Sequence, residues 1–255
     1  MKVSKRLGIF ACFGLILLTA SLFFGCGKKT SDQQSGSANE EREVVEEAQT
    51  EEESDGTELS GRPVFMMGRS VMYGWFSHWN PDDASKPAKR GDFVLYYKEL
   101  STPPDIAESV KGYVDEIDAD NTIVFFKFCF DDFAGSSRSE AKANLSDNKK
   151  YIQQVFKAVV EERGLKLIIG NALPRVENYT DSQLVWNHRT FNNWLEDFAA
   201  EHSAEVYVFD QYSVLSDSEG NLKSEYAADP EDSHPNDQAY SDLDDSFFSF
   251  LEENF

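Results

Sequence analysis

The sequence is poor in histidine, with 4, and in cysteine, with 3, and its 24 lysines and arginines face 46 acidic residues. A formal net charge of −22 excludes recognition of nucleic acid through a basic surface, since that binding depends on cations set against phosphates. Of the cysteines, Cys12 and Cys26 stand near the N-terminus and Cys129 stands alone far downstream, so no internal disulfide is available there. Within FFKFCF, Cys129 reads as a small buried apolar residue. No internal repeat is apparent, and a long apolar run occurs at one place, Leu7 to Phe24.

That run follows Lys2, Lys5 and Arg6 and ends at Gly25 and Cys26. A basic start, an apolar core and a small residue before a processing point predict an export signal over residues 1–25. Cleavage ahead of Cys26 resembles bacterial lipoprotein maturation, which implies diacylglycerol on Cys26 and a membrane partner. An uncleaved anchor is the alternative, because the run approaches spanning length. Either way the expected location is extracytoplasmic, tethered to the cell membrane. Residues 26–60 read as an acidic linker: Ser31 to Glu58 hold 11 acidic residues against Arg42 alone, with few aliphatics and no aromatics to offset the entropy of ordering.

Residues 61–255 suffice for one hydrophobic core. Apolar runs predict strands near Pro63 to Met67, Phe93 to Tyr97, Thr122 to Phe130, Leu167 to Gly170 and Val206 to Phe209. Helical patterns fall between and after them, at Val71 to His78, Asp105 to Ile117, Glu140 to Arg163, Ser182 to His202 and Asp237 to Leu251. This alternation predicts an α/β fold, a three-layer α/β/α sandwich on a parallel sheet of about five strands. Such sheets bind ligands at the carboxyl ends of their strands.

Two stretches belong to that edge. In VFMMGRSVMYGW an apolar run stops at Gly68 and Ser70 follows where a helix begins, so Ser70 is either a displayed nucleophile or a helix cap. In ADPEDSHPNDQAYSDL, His234 lies just ahead of the last helix with Glu231 and Asp232 before it. A serine that attacks an acyl group needs a base, and the base needs an orienting carboxylate.

Together these stretches resemble the SGNH (GDSL-like) hydrolase superfamily, over about Arg62 to Phe255. The resemblance implies Ser70 as nucleophile, His234 as base, and a carboxylate partner that is Glu231 by the family's spacing or Asp232 by the compact DSHPN string. It implies a serine esterase acting on O-acyl groups, with an acylated carbohydrate or other small ester as substrate and no metal or organic cofactor. An acyltransferase using the same serine, and a carbohydrate-binding module that keeps the fold without the chemistry, share these features.

Some positions depart from the family pattern. GDS has become GRS, with Arg69 in place of the aspartate, and Asp131 stands where an oxyanion-binding asparagine is expected. The expectation is a charge exchange in which Arg69, or Lys127 on the neighbouring strand, pairs with Asp131 or Asp132. Lys127, Cys129 and Asp131 would share one strand face. No glycine lies between Tyr96 and Pro104, so a second oxyanion amide would come from Lys98, Glu99 or Leu100. Asn171, in GNALPRV after the fourth strand, either donates to substrate or forms a turn. His188 reads as a surface or capping residue, and His78, in FSHWN, as part of an aromatic rim.

Overall fold

The computed structural model describes residues 59–255 apart from Asp82 and Ala119. The expected export signal, the expected lipid site at Cys26 and nearly all of the expected linker lie outside the described residues.

Six strands form the main sheet: β1 (Arg62–Gly68), β2 (Ala88–Arg90), β3 (Phe93–Glu99), β4 (Ile123–Lys127), β5 (Lys166–Gly170) and β6 (Val206–Phe209). Their spatial order is β2-β3-β1-β4-β5-β6, all parallel except the short edge strand β2. The expected parallel five are therefore present, and an antiparallel edge is added. The order reverses between β3 and β4 on either side of β1, which opens a crevice at the end of β1, immediately ahead of Ser70.

Helices cover both faces, which is why the central strands read as unbroken apolar runs. Val64, Met66, Ile123 and Phe125 face one core with α1 (Ser70–Trp79), α5 (Gln211–Leu215) and α6 (Asp237–Asn254). Met67, Val124 and Phe126 face the other, with α2 (Ile106–Asp115), α3 (Arg138–Phe156) and α4 (Ser182–Glu201). Capping follows the local sequence: Asp181 accepts from the Leu184 amide at the start of α4, and Asn236 from that of Ala239 at the start of α6.

On the first face Trp75, Phe125, Phe209 and Phe247 pack ring against ring, each burial worth roughly 1.5–3 kcal/mol. Asp244 of α6 accepts from the indole nitrogens of Trp75 at 2.5 Å and Trp79 at 2.6 Å. These contacts tie α1, and with it the serine at its start, to the rest of the fold.

The strand expected to run to Phe130 stops at Lys127. Asp132 reaches back to accept the Cys129 amide at 2.8 Å and closes a 3-10 turn over Phe130–Phe133. Hydrophobicity alone could not reveal this break, because Phe128, Cys129 and Phe130 continue the apolar run past Lys127. Its consequence is that Asp131 does not share a strand face with Lys127. An antiparallel ribbon, β7 (Ala227–Asp229) and β8 (Asp232–Pro235), and the short helix α5 were also not anticipated.

Candidate active site

Gly68 ends β1 where α1 turns sharply back over the sheet. A Cβ at Gly68 would stand 2.6 Å from Met72 Cβ, so no larger residue permits this close approach. Arg69 is the N-cap of α1 and makes no side-chain cap, and Ser70 is the first helical residue. Ser70 therefore does not act as the cap. Its side chain is exposed and, among the described residues, free of hydrogen bonds. The first amides of a helix have no intrahelical partner, so the uncapped start of α1 presents N–H donors beside the hydroxyl.

Ribbon strand β8 brings His234 beside α1. His234 Nδ1 lies 2.6 Å from Asp232 Oδ1, and the same oxygen accepts the His234 amide at 3.0 Å. These two bonds hold the Asp232 carboxyl below its ordinary range. An ionised carboxylate only accepts, so Nδ1 carries the proton and Nε2 is left with its lone pair. Glu231, the other candidate, is held elsewhere: it accepts from Asn178 Nδ2 at 2.6 Å and from the Tyr179 hydroxyl at 2.9 Å. The Phe130 ring packs edge-on against the imidazole, with centroids 5.2 Å apart.

Arg69 turns inward and pairs with Asp132. Burial pushes the Asp132 carboxyl up, and the Arg69 charge and the Cys129 amide oppose that shift. Asp131 stays largely exposed, and its nearest cation is Arg175, at 3.5 Å.

Three residues expected at the site, Lys127 as a substrate-side cation or ion-pair partner and Asn171 and Leu100 as donors, are placed differently. Lys127 is 1% exposed, its stem sleeved between Gly68 and Gly170 and its ammonium without a hydrogen-bond partner. Desolvation lowers it to about 8, so it is a buried base under the strand ends and not a surface of the cleft. Asn171 donates to Asp210 at 2.6 Å and accepts the Tyr212 amide at 2.8 Å, which commits its side chain to holding the start of α5. The Leu100 amide donates to the Gly68 carbonyl at 3.0 Å, which removes it as an oxyanion donor.

His188 is not on the surface. It is fully buried against Phe133 and Tyr212 with both ring nitrogens unpartnered, and desolvation drops it to about 3. It is a neutral core residue whose neighbours in sequence gave no sign of that burial. His78 belongs to the aromatic junction of α1 and α6, with its ring 6.2 Å from Tyr240 and 3.8 Å from Asp244. Two neighbours of the site, Phe130 and Arg175, had no motif to mark them.

A candidate acylhydrolase from Bacteroides fragilis superposes with a TM-score of 0.54 at 17% identity, over 75% of this chain and 86% of its own. A GDSL-like lipase from Bacteroides thetaiotaomicron gives 0.54 at 16%, over 76% and 89%. The chain has the SGNH, GDSL-like hydrolase fold. A candidate arylesterase from Agrobacterium tumefaciens also matches, with a TM-score of 0.52 at 15% identity, over 76% of this chain and 100% of its own. No protein-family model and no curated protein matches the sequence. Identities this low fit a GDSL-like fold whose sequence blocks have changed, as GRS and FDD have here.

Proposed function

We propose that this SGNH-fold domain is an extracytoplasmic serine esterase that removes short O-acyl groups from carbohydrate, tethered to the membrane through Cys26. The observation that carries the reading is the 2.6 Å contact of Asp232 with His234 Nδ1, on a ribbon packed beside the helix that begins with an unengaged Ser70. A histidine held in the Nδ1–H tautomer has its free lone pair on Nε2, as a general base requires.

Ser70 Oγ attacks the ester carbonyl while His234 Nε2 takes its proton. Asp232 stabilises the imidazolium that forms, and the tetrahedral oxyanion is met by the uncapped amides at the start of α1. His234 then returns the proton to the departing alcohol oxygen. Water, activated by the same imidazole, attacks the acyl-serine, releases the carboxylic acid and regenerates Ser70. Among the described residues Ser70 and His234 are not hydrogen-bonded to each other, and such catalytic contacts commonly tighten in the complex with substrate.

Beside the turn lies a cavity whose wall includes Arg69 but neither Ser70 nor His234, and it offers no apolar room for a long acyl chain. It measures about 240 Å³ and is lined by Arg69, Thr102, Asp131, Asn144 and Tyr151, a polar wall unsuited to a long alkyl chain. The test is labelling of the domain from Ser60 onward with a fluorophosphonate, alongside Ser70→Ala and His234→Ala. Labelling that is lost in both variants supports the reading. A folded parent that does not label overturns it.

A further inference from the structure

Arg175 lies on the loop after β5, at the ligand-binding edge of the sheet, and is not part of the proposed triad. Its side chain is only 18% exposed, yet its guanidinium makes no hydrogen bond to any described residue, and Nε is completely buried without a partner. A guanidinium carries five N–H donors in a rigid fork; the one on Nε is buried unsatisfied, which is costly, and the Nη donors make no hydrogen bond within the protein. Two rings hold it in place, Phe130 at 5.8 Å and Tyr179 at 5.2 Å from its central carbon. The facing carboxylate, Asp131, stands at 3.5 Å and is 63% exposed, so it neutralises the charge weakly. Of the other acids nearby, Glu231 accepts from Asn178 and Tyr179, and Asp181, which lines the same cavity as Arg175, accepts the Leu184 amide as the cap of α4.

The fork also lines a cavity of about 350 Å³, together with Ser136, Arg138, Tyr179 and Gln183. The Phe130 ring on which the guanidinium rests is the ring that contacts His234, so a group bound at Arg175 would sit one aromatic width from the base. A guanidinium that stacks on aromatic rings keeps its edge available to meet a planar or tetrahedral oxyanion in two parallel hydrogen bonds.

We infer that Arg175 is a specificity-determining residue that binds an oxyanion, a carboxylate or a phosphate, carried by the sugar whose ester is cleaved. The inference deepens the esterase reading and rests on it for the identity of the substrate. Asp131 is then the internal competitor that the incoming anion displaces.

The test separates binding from turnover. Calorimetric titrations of methyl glucuronide, glucose 6-phosphate and methyl glucoside are made into the Ser70→Ala domain, with and without Arg175→Gln, Arg175→Lys or Asp131→Asn. At least one of the two anionic sugars is expected to bind about tenfold or more tighter than the neutral one, and which of them does so identifies the oxyanion. Arg175→Gln should erase the difference, Arg175→Lys should retain part of it, and Asp131→Asn should widen it by removing the competitor. Equal binding of all three sugars, binding of none, or a preference that survives Arg175→Gln in a folded protein overturns the inference. Loss of fluorophosphonate labelling in the parent strikes the esterase reading alone, because the titrations need no turnover.

Discussion

Arg69 and Asp132 form an ion pair across the turn that presents Ser70, and the Asp132 carboxylate also caps the 3-10 turn through the Cys129 amide. Both side chains are largely withdrawn from water, at 15% and 6% exposure. Removing one partner of such a pair strands a buried charge and costs about 3–5 kcal/mol. Asp132→Ala is therefore expected to lose stability in that range by chemical denaturation, because it strands Arg69 and also removes the acceptor of the Cys129 amide, and Arg69→Ala somewhat less, because the carboxylate it strands keeps that amide. The double variant should lose less than the sum of the two. Asp131→Asn, one residue away and exposed, should change stability by no more than about 0.5 kcal/mol.

Asp232 and Glu231 are adjacent acids with separate duties. Under the proposed chemistry Asp232→Ala leaves the imidazole without its orienting partner, and kcat for an acetyl ester should fall by about three to four orders of magnitude. Glu231→Ala removes contacts to Asn178 and Tyr179 only, and should stay within about tenfold of the parent. Comparable losses in both variants would mean that the ribbon as a whole, and not the Asp232 contact, sets the base.

Gly68 yields a purely steric prediction. The Cβ of Gly68→Ala would stand 2.6 Å from Met72 Cβ, and since both carbons are fixed to backbone, α1 must shift. The expected cost is about 1–3 kcal/mol in stability. A disproportionate loss of fluorophosphonate reactivity should accompany it, because the displaced helix carries Ser70 and its free amides. A variant with parental reactivity would show that the helix start has slack.

How much of this was legible in the sequence depended on whether the signal was local. Strand β6 was read to the residue, Val206 to Phe209, because an apolar run bounded by polar residues carries its own limits. Ser70 and His234 stand out in the sequence because a turn glycine and a compact acid–histidine string mark them, and the structure places one at the start of α1 and the other on the ribbon beside it. The end of β4 was missed because Asp132 stops the strand by reaching back to an amide, a tertiary act invisible to hydrophobic pattern. Asn171 and Lys127 were assigned to the cleft because polar residues at strand ends usually face it. Their hydrogen bonding and burial instead depend on α5 and on two glycines of neighbouring strands. Arg175 escaped notice because its significance is a guanidinium without hydrogen bonds, which depends on tertiary packing.

Lys127 makes the last prediction, and its sign follows from burial. Desolvation lowers its folded-state value to about 8 from an ordinary 10.5. Below pH 8 folded and unfolded chains both carry the proton, so the penalty of burying the charge is fully present, on the order of 3 kcal/mol. Between pH 8 and 10.5 the unfolded chain keeps a proton that the folded protein has released, and stability rises with pH. The buried phenols of Tyr97 and Tyr240 are pushed above their ordinary value of 10.0, so their opposing contribution begins only near the top of that window. Lys127→Met keeps the unbranched stem that fits between Gly68 and Gly170 and removes the charge. It is expected to stabilise the domain at pH 7 by up to that order and to flatten the rise between pH 8 and 10 in urea denaturation curves. If the variant is less stable at pH 7, the ammonium has a stabilising partner that offsets its burial, and a group bound at the strand ends, above Lys127, becomes the next thing to seek.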